Sequence, residues 1–75
     1  MRAPGPGVPE LGTWAVDRRD GRVGRVMAYF GAYGYLRPVG GGREWDCPPA
    51  DLRPAEPSEV LRARVRVRNA QGRLP

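Results

Sequence analysis

Arg62, Arg64, Arg66 and Arg68 stand at every second position of one short segment, and no acid follows them before the chain ends. Guanidinium groups in that density are suited to phosphates, which they meet with a planar fork of donors. On a strand all four would project from one face. On a helix Arg62 and Arg66 share one side, and Arg64 and Arg68 another. In either layout the affinity for a polyanion falls steeply with salt, because each neutralised phosphate releases counterions. The competing reading is a solvated face offset by the rest of the molecule.

A second constellation is aromatic. Tyr29, Phe30, Tyr33 and Tyr35 fall within seven residues. One side of a thin domain does not bury so many rings, so one or two are expected in solvent, with Tyr33 at a turn tip the foremost. Rings beside Arg25 and Arg37 can stack the bases of single strands. The same residue types anchor protein interfaces. The competing reading is that the rings brace the fold and only their hydroxyls reach water. The candidate nucleic-acid-binding residues are therefore Arg62, Arg64, Arg66, Arg68, Tyr33, Tyr35, Arg37 and Arg25. The partner they imply is DNA or RNA, or else a larger protein.

Catalysis is not expected. The chain has no histidine, which removes the usual acid–base group at neutral pH. Cys47 has no histidine partner and reads as a small buried hydrophobe. Glu44 and Asp46 flank Trp45 and share a strand face, a pattern that belongs to a solvated surface rather than an acid pair. One cysteine without histidine leaves no ordinary zinc site, and neither a cofactor nor a small-molecule substrate is implied. A lone cysteine cannot form an internal disulfide, so a reducing cytoplasm is the expected compartment. The opening MRAPGPGVPE lacks an apolar core, and no run approaches the roughly 18 apolar residues of a membrane span. Leu61 and Val65 interrupt the charged segment, which also argues against binding to a membrane surface.

All thirteen basic residues are arginine. Codon bias in a GC-rich genome accounts for that as simply as a need for guanidinium groups does. Their placement says more. From Glu10 to Leu61, seven arginines face eight acids, a net charge of −1; from Arg62 to Pro75 there are five arginines and no acid. The body is balanced and its trailing segment is cationic.

The elements that must position these groups follow from punctuation and period. Eleven glycines and nine prolines in 75 residues sit between apolar runs, as turns do in a small all-β domain. Residues 1–10 read as a flexible Pro/Gly arm. TWAVD alternates and predicts a strand with Trp14 and Val16 on its buried face, followed by a tight turn at Asp20-Gly21. RVGRVMAYF predicts a long second strand, with Gly24 as the place for a bulge. After GAYG, YLRPV forms a third strand that sets Leu36 opposite Tyr35 and Arg37, with Pro38 at a strand end or edge. Gly40, Gly41 and Gly42 supply a turn with left-handed backbone. REWDC returns as a fourth strand with Trp45 and Cys47 on one face, ended by Pro48-Pro49. ADLRPA makes one helical turn that places Leu52 in the core. In the last segment, strict alternation over 62–68 suggests a strand. Pro57, Ser58 and Glu59 at one end and Gly72 at the other punctuate a helix, and their agreement favours a helix over 57–71. Its apolar face would hold Val60, Ala63, Val67 and Ala70, with residues 72–75 as a tail.

The stretch DGRVGRVMAYFGAYGYLRPVGGGREWDCPPADLRP, with its long bent strand, Gly-rich turn and one-turn helix before a last strand, resembles an SH3-like small barrel. GRVGRV is similar to the KOW stretch of ribosome- and polymerase-associated SH3-like domains. More loosely, the pattern resembles short arginine-rich actinobacterial proteins of unassigned role. The resemblance implies a mainly β fold: a barrel of about five short strands over 11–56 with a C-terminal helix. No acidic-aromatic motif for proline-rich peptides and no aromatic cage for methyl-lysine is present, so the resemblance speaks to fold rather than ligand.

Overall fold

The computed structural model describes residues 7–72, with side chains as far as Ala70. Five strands, β1 (Trp14–Asp17), β2 (Val23–Phe30), β3 (Tyr33–Pro38), β4 (Trp45–Cys47) and β5 (Leu52–Pro54), precede helix α1 (Pro57–Gly72). All pairings are antiparallel, in the order β4-β3-β2-β1-β5. A 3₁₀ turn, Pro49–Asp51, joins β4 to β5.

The turns fall where glycine permits them. Gly21 has φ 81°, Gly31 55°, and Gly40, Gly41 and Gly42 run from 84° to 112°. With Phe30 paired to Tyr33, Gly31 and Ala32 form a two-residue hairpin loop whose first position has the positive φ of a type II′ turn.

The ladder does not close into a barrel. The two edge strands, β4 and β5, are three residues each, and they do not pair with one another. Pro48, Pro49 and Pro54 follow or end them and lack the N–H that a further ladder needs. Side chains and single backbone bonds span the gap instead. Arg19 Nη2 donates to the Asp46 carbonyl at 2.7 Å, and Arg18 N–H donates to the Asp51 carbonyl at 2.8 Å. These features also leave the edges poor templates for pairing with another chain.

The core lies on one face of the sheet and contains Ala15, Val26, Tyr29, Leu36, Cys47 and Leu52, with Trp45 and Val8 packed against it. Leu36, Trp45, Cys47 and Leu52 occupy the sides their alternation predicts. β1 is the exception. Ala15 and Asp17 face this core, whereas Trp14 shares a cleft with Val60 and Leu61 of α1. Val16 is also buried, on the Trp14 side. Both faces of this four-residue strand are covered, so the large apolar pair does not mark the main core.

Two further expectations change. The bulge falls at Met27, where the register shifts between Val26 and Ala28, while Gly24 pairs regularly with Ala15 and Pro38. Gly24 serves close approach: a Cβ there would lie 2.6 Å from Trp45 Cη2 and 2.9 Å from the Arg37 carbonyl oxygen. The body also reaches back beyond Leu11 into the stretch read as a flexible arm. Val8 rests on the core, and Tyr29 Oη donates to the buried Pro9 carbonyl. The remainder of that arm, residues 1–6, and the tail residues 73–75 lie outside the described residues.

The C-terminal segment is a helix, so the strict alternation over 62–68 is not a strand. Glu59 accepts the Glu56 backbone N–H at 2.9 Å, the reciprocal half of a capping box with Pro57 in the first helical position. Arg53 holds the same carboxylate through bonds of 2.8 and 2.6 Å, which fixes the helix start to β5. Val60 is buried and Ala63 and Val67 half-buried, whereas Leu61 and Val65 point to solvent. Ala70, on the same apolar stripe, is exposed.

Candidate functional site

Alternation on β2 and β3 determines what the uncovered sheet face carries. Gly34 and Leu36 are buried, so Tyr33, Tyr35 and Arg37 project from the other side. Across the ladder Arg37 faces Arg25, and Tyr33 faces Phe30. The rings of Phe30 and Tyr35 meet edge to face, with centroids 5.9 Å apart. Phe30 is 59% exposed, Tyr33 44% and Met27 38%. The bulge at Met27 makes this face possible, because it turns Tyr29 into the core and leaves Met27 and Phe30 outside.

The row continues onto β1 and α1 through Trp14, which pairs with Arg25. The Arg25 guanidinium lies 4.8 Å from the Trp14 ring centre, and that of Arg64 5.6 Å away. Trp14 therefore forms a platform between two cations. It also separates two recesses. One, of about 440 Å³, lies between β1, β5 and the first turns of α1 and is lined by Trp14, Pro54, Pro57, Val60, Leu61 and Arg64. The other, of about 260 Å³, is bounded by Trp14, Arg25, Met27, Arg37 and Gly40. Leu61, Arg64, Val65 and Arg68 line a smaller hollow beside the first.

The electrostatics of the face follow from which arginines have partners. The four ion pairs among the described residues are Arg19–Asp17, Arg22–Asp20, Arg37–Glu44 and Arg53–Glu59. Arg25, Arg62, Arg64, Arg66 and Arg68 have no carboxylate within ion-pairing distance among the described residues. Arg37 does: it donates to Glu44 at 2.9 and 3.2 Å, and this engagement braces β3 against β4.

Of the eight residues selected from sequence, Tyr33, Tyr35, Arg37, Arg25 and Arg64 come together along one surface, and Arg68 adjoins it through the Leu61 hollow. Arg62 and Arg66 lie on the other flank of α1, beside Gly21, Val23 and Ala63. Sequence reasoning missed Trp14, the residue that links the sheet to the helix. Its signal was available in the short strand TWAVD, but alternation alone does not reveal that a helix covers the second face.

Away from this face, Asp17, Arg19 and Cys47 act on one another. Burial by itself would raise the Asp17 carboxyl. The Arg19 side chain and backbone N–H, the Trp45 indole and the Cys47 thiol outweigh it and hold the group well below the carboxylate range. Asp17 in turn raises Arg19. Burial first, and then the neighbouring Asp17 carboxylate, push the Cys47 thiol up to about 11. A thiol of that kind is almost entirely protonated at neutral pH and makes a poor nucleophile.

No helix among the described residues is long and apolar enough to cross a membrane. No protein-family model, curated protein or solved structure matches the chain.

Proposed function

We propose that this protein is a non-enzymatic binding module that associates with nucleic acid, built on an SH3-like scaffold. The strand order, with β5 returning beside β1 and a single 3₁₀ turn between β4 and β5, supports the scaffold. The observation that carries the function is the division of the arginines. Among the described residues the ion pairs engage four of the body's seven arginines and leave Arg18, Arg25, Arg43 and the four helix arginines unpaired, and Arg25 and Arg64 frame an aromatic platform. Desolvating these cations breaks no internal ion pair; Glu59 lies near Arg62 and Arg66 on one flank of the helix, whereas Arg25 and Arg64 meet phosphates beside the Trp14 ring.

A titration against generic DNA and RNA at two salt concentrations tests this reading. Binding is expected at low salt and to weaken sharply as salt rises. Reversing Arg62, Arg64, Arg66 and Arg68 to glutamate abolishes it. Absence of binding at low salt overturns the reading. The alternative role is an adaptor that docks on a larger protein, favoured by the exposure of Leu61 and Val65 beside the apolar recess.

A further inference from the structure

The arginines account for attraction to any polyanion, duplex or single strand. They do not account for the rings. Phe30, Tyr33 and Tyr35 stand on the uncovered sheet face, and Trp14 floors an apolar recess of about 440 Å³ with Arg64 at its wall. In a duplex the base faces are occupied by their neighbours, and a protein reaches only edges and backbone. Exposed rings and an apolar recess with a guanidinium at its wall suit bases that are already unstacked. We infer that the ligand is single-stranded nucleic acid, with one base seated in the Trp14 recess and adjoining bases laid on Tyr35 and Tyr33. This rests on the nucleic-acid reading above and narrows it.

Charge and geometry agree on the placement. Arg64 belongs to the recess and to the hollow it shares with Arg68. Its guanidinium sits at 5.6 Å from the Trp14 ring centre, near the outer limit of a cation–π contact. Moving from the ring to a phosphate uncovers the indole at little cost, while Arg25, closer at 4.8 Å, stays in place. Apolar walls from Pro54, Val60 and Leu61 suit the flat apolar face of a base.

The deciding comparison uses three probes of equal phosphate number at one low salt concentration: an oligothymidylate, the same chain with abasic sites, and a duplex. The oligothymidylate is expected to bind at least roughly tenfold tighter than the abasic chain, since about one base–aromatic stack alone is worth that much, and tighter than the duplex. Tryptophan emission of the unaltered protein is quenched by the oligothymidylate and not by the abasic chain. Trp14→Ala lowers the preference to the part owed to Tyr33 and Tyr35 and keeps salt-dependent binding of all three. Leu61→Gln, a solvent-exposed change that leaves the charge alone, reduces the preference if Trp14→Ala fails to fold. Equal affinity for the three probes, or preference for the duplex, overturns the single-strand proposal and leaves the polyanion reading standing. No binding of any probe at low salt overturns the polyanion reading itself.

Discussion

The Trp45 indole donates its N–H to Asp17 Oδ2 at 2.9 Å, and this bond ties the β4 edge to β1 across the gap that the ladder leaves open. Asp17 is completely buried and fully engaged. It also accepts the Arg19 backbone N–H at 2.9 Å and the Arg19 side chain at 3.1 and 3.0 Å. Arg19 in turn reaches the Asp46 carbonyl. One carboxylate therefore links the β4 edge to β1 where strand pairing is absent, beside the backbone bond from Arg18 to Asp51. The Trp45 ring is clamped from two sides, by the bare backbone of Gly24 and by the Arg22 guanidinium, 4.1 Å from its centre.

Asp17→Ala removes the acceptor and leaves buried donors stranded. The expected cost is about 2–4 kcal/mol, below the upper range for a buried pair because the Arg19 side chain keeps 45% of its surface in water. For a domain this small that is a large share of the total stability. Trp45→Phe loses one bond and costs less. Urea unfolding of the two single variants and the double variant measures the coupling. Additive costs would show that the bond across the gap contributes nothing.

Acid sensitivity follows from the same logic. The Arg53 side chain, and next the Glu56 backbone N–H, lower Glu59 to about 2 from an ordinary 4.5, and Asp17 is lowered as well. Both groups bind protons more tightly in the unfolded chain, so their stabilisation is complete above the unfolded values and is lost as pH falls through the folded ones. The midpoint of urea unfolding should be level from neutral pH down to about 5 and then fall towards pH 2. Glu59→Gln should flatten part of that fall. An unchanged acid slope in this variant would show that the Arg53–Glu59 pair is not a source of the stability.

Much of the fold was legible because its signals are local. Asp20-Gly21 and the three consecutive glycines force turns by backbone conformation alone, and Pro57 with Glu59 marks a helix start irrespective of the surroundings. The face of β1 was not legible. Trp14 and Val16 have the pattern of a core-facing pair, and only the docking of α1, forty residues later, makes the opposite face a second interior. The burial of Asp17 was not legible either, because a carboxylate reads as solvent-facing unless Arg19 and Trp45 are known to converge on it. The aromatic and cationic residues of the site were found by type. Their assembly into one face depended on the bulge at Met27, whereas the conformational tolerance of glycine points three residues earlier, to Gly24.

The position of α1 relative to the platform rests on Gly40 and Val67. A Cβ on Gly40 would come within 2.7 Å of Val67 Cγ1, at a backbone φ of 84°. Gly40→Ala therefore carries two costs, about 1–2 kcal/mol for a left-handed alanine and about 1–3 kcal/mol for overpacking. Gly41 is the internal control. Its φ is 87°, but nothing lies within 4 Å of its Cβ position, so Gly41→Ala carries only the first cost. Hydrogen exchange should show faster opening of the α1 amides in Gly40→Ala than in Gly41→Ala, with the β1–β3 amides unchanged. Adding Val67→Ala to Gly40→Ala should restore part of the difference. Because Arg64 and the wall of the Trp14 recess move with the helix, the preference for unpaired bases should decline in Gly40→Ala and recover with the second change. Equal behaviour of the two glycine variants would mean that Val67 does not hold the helix against this turn.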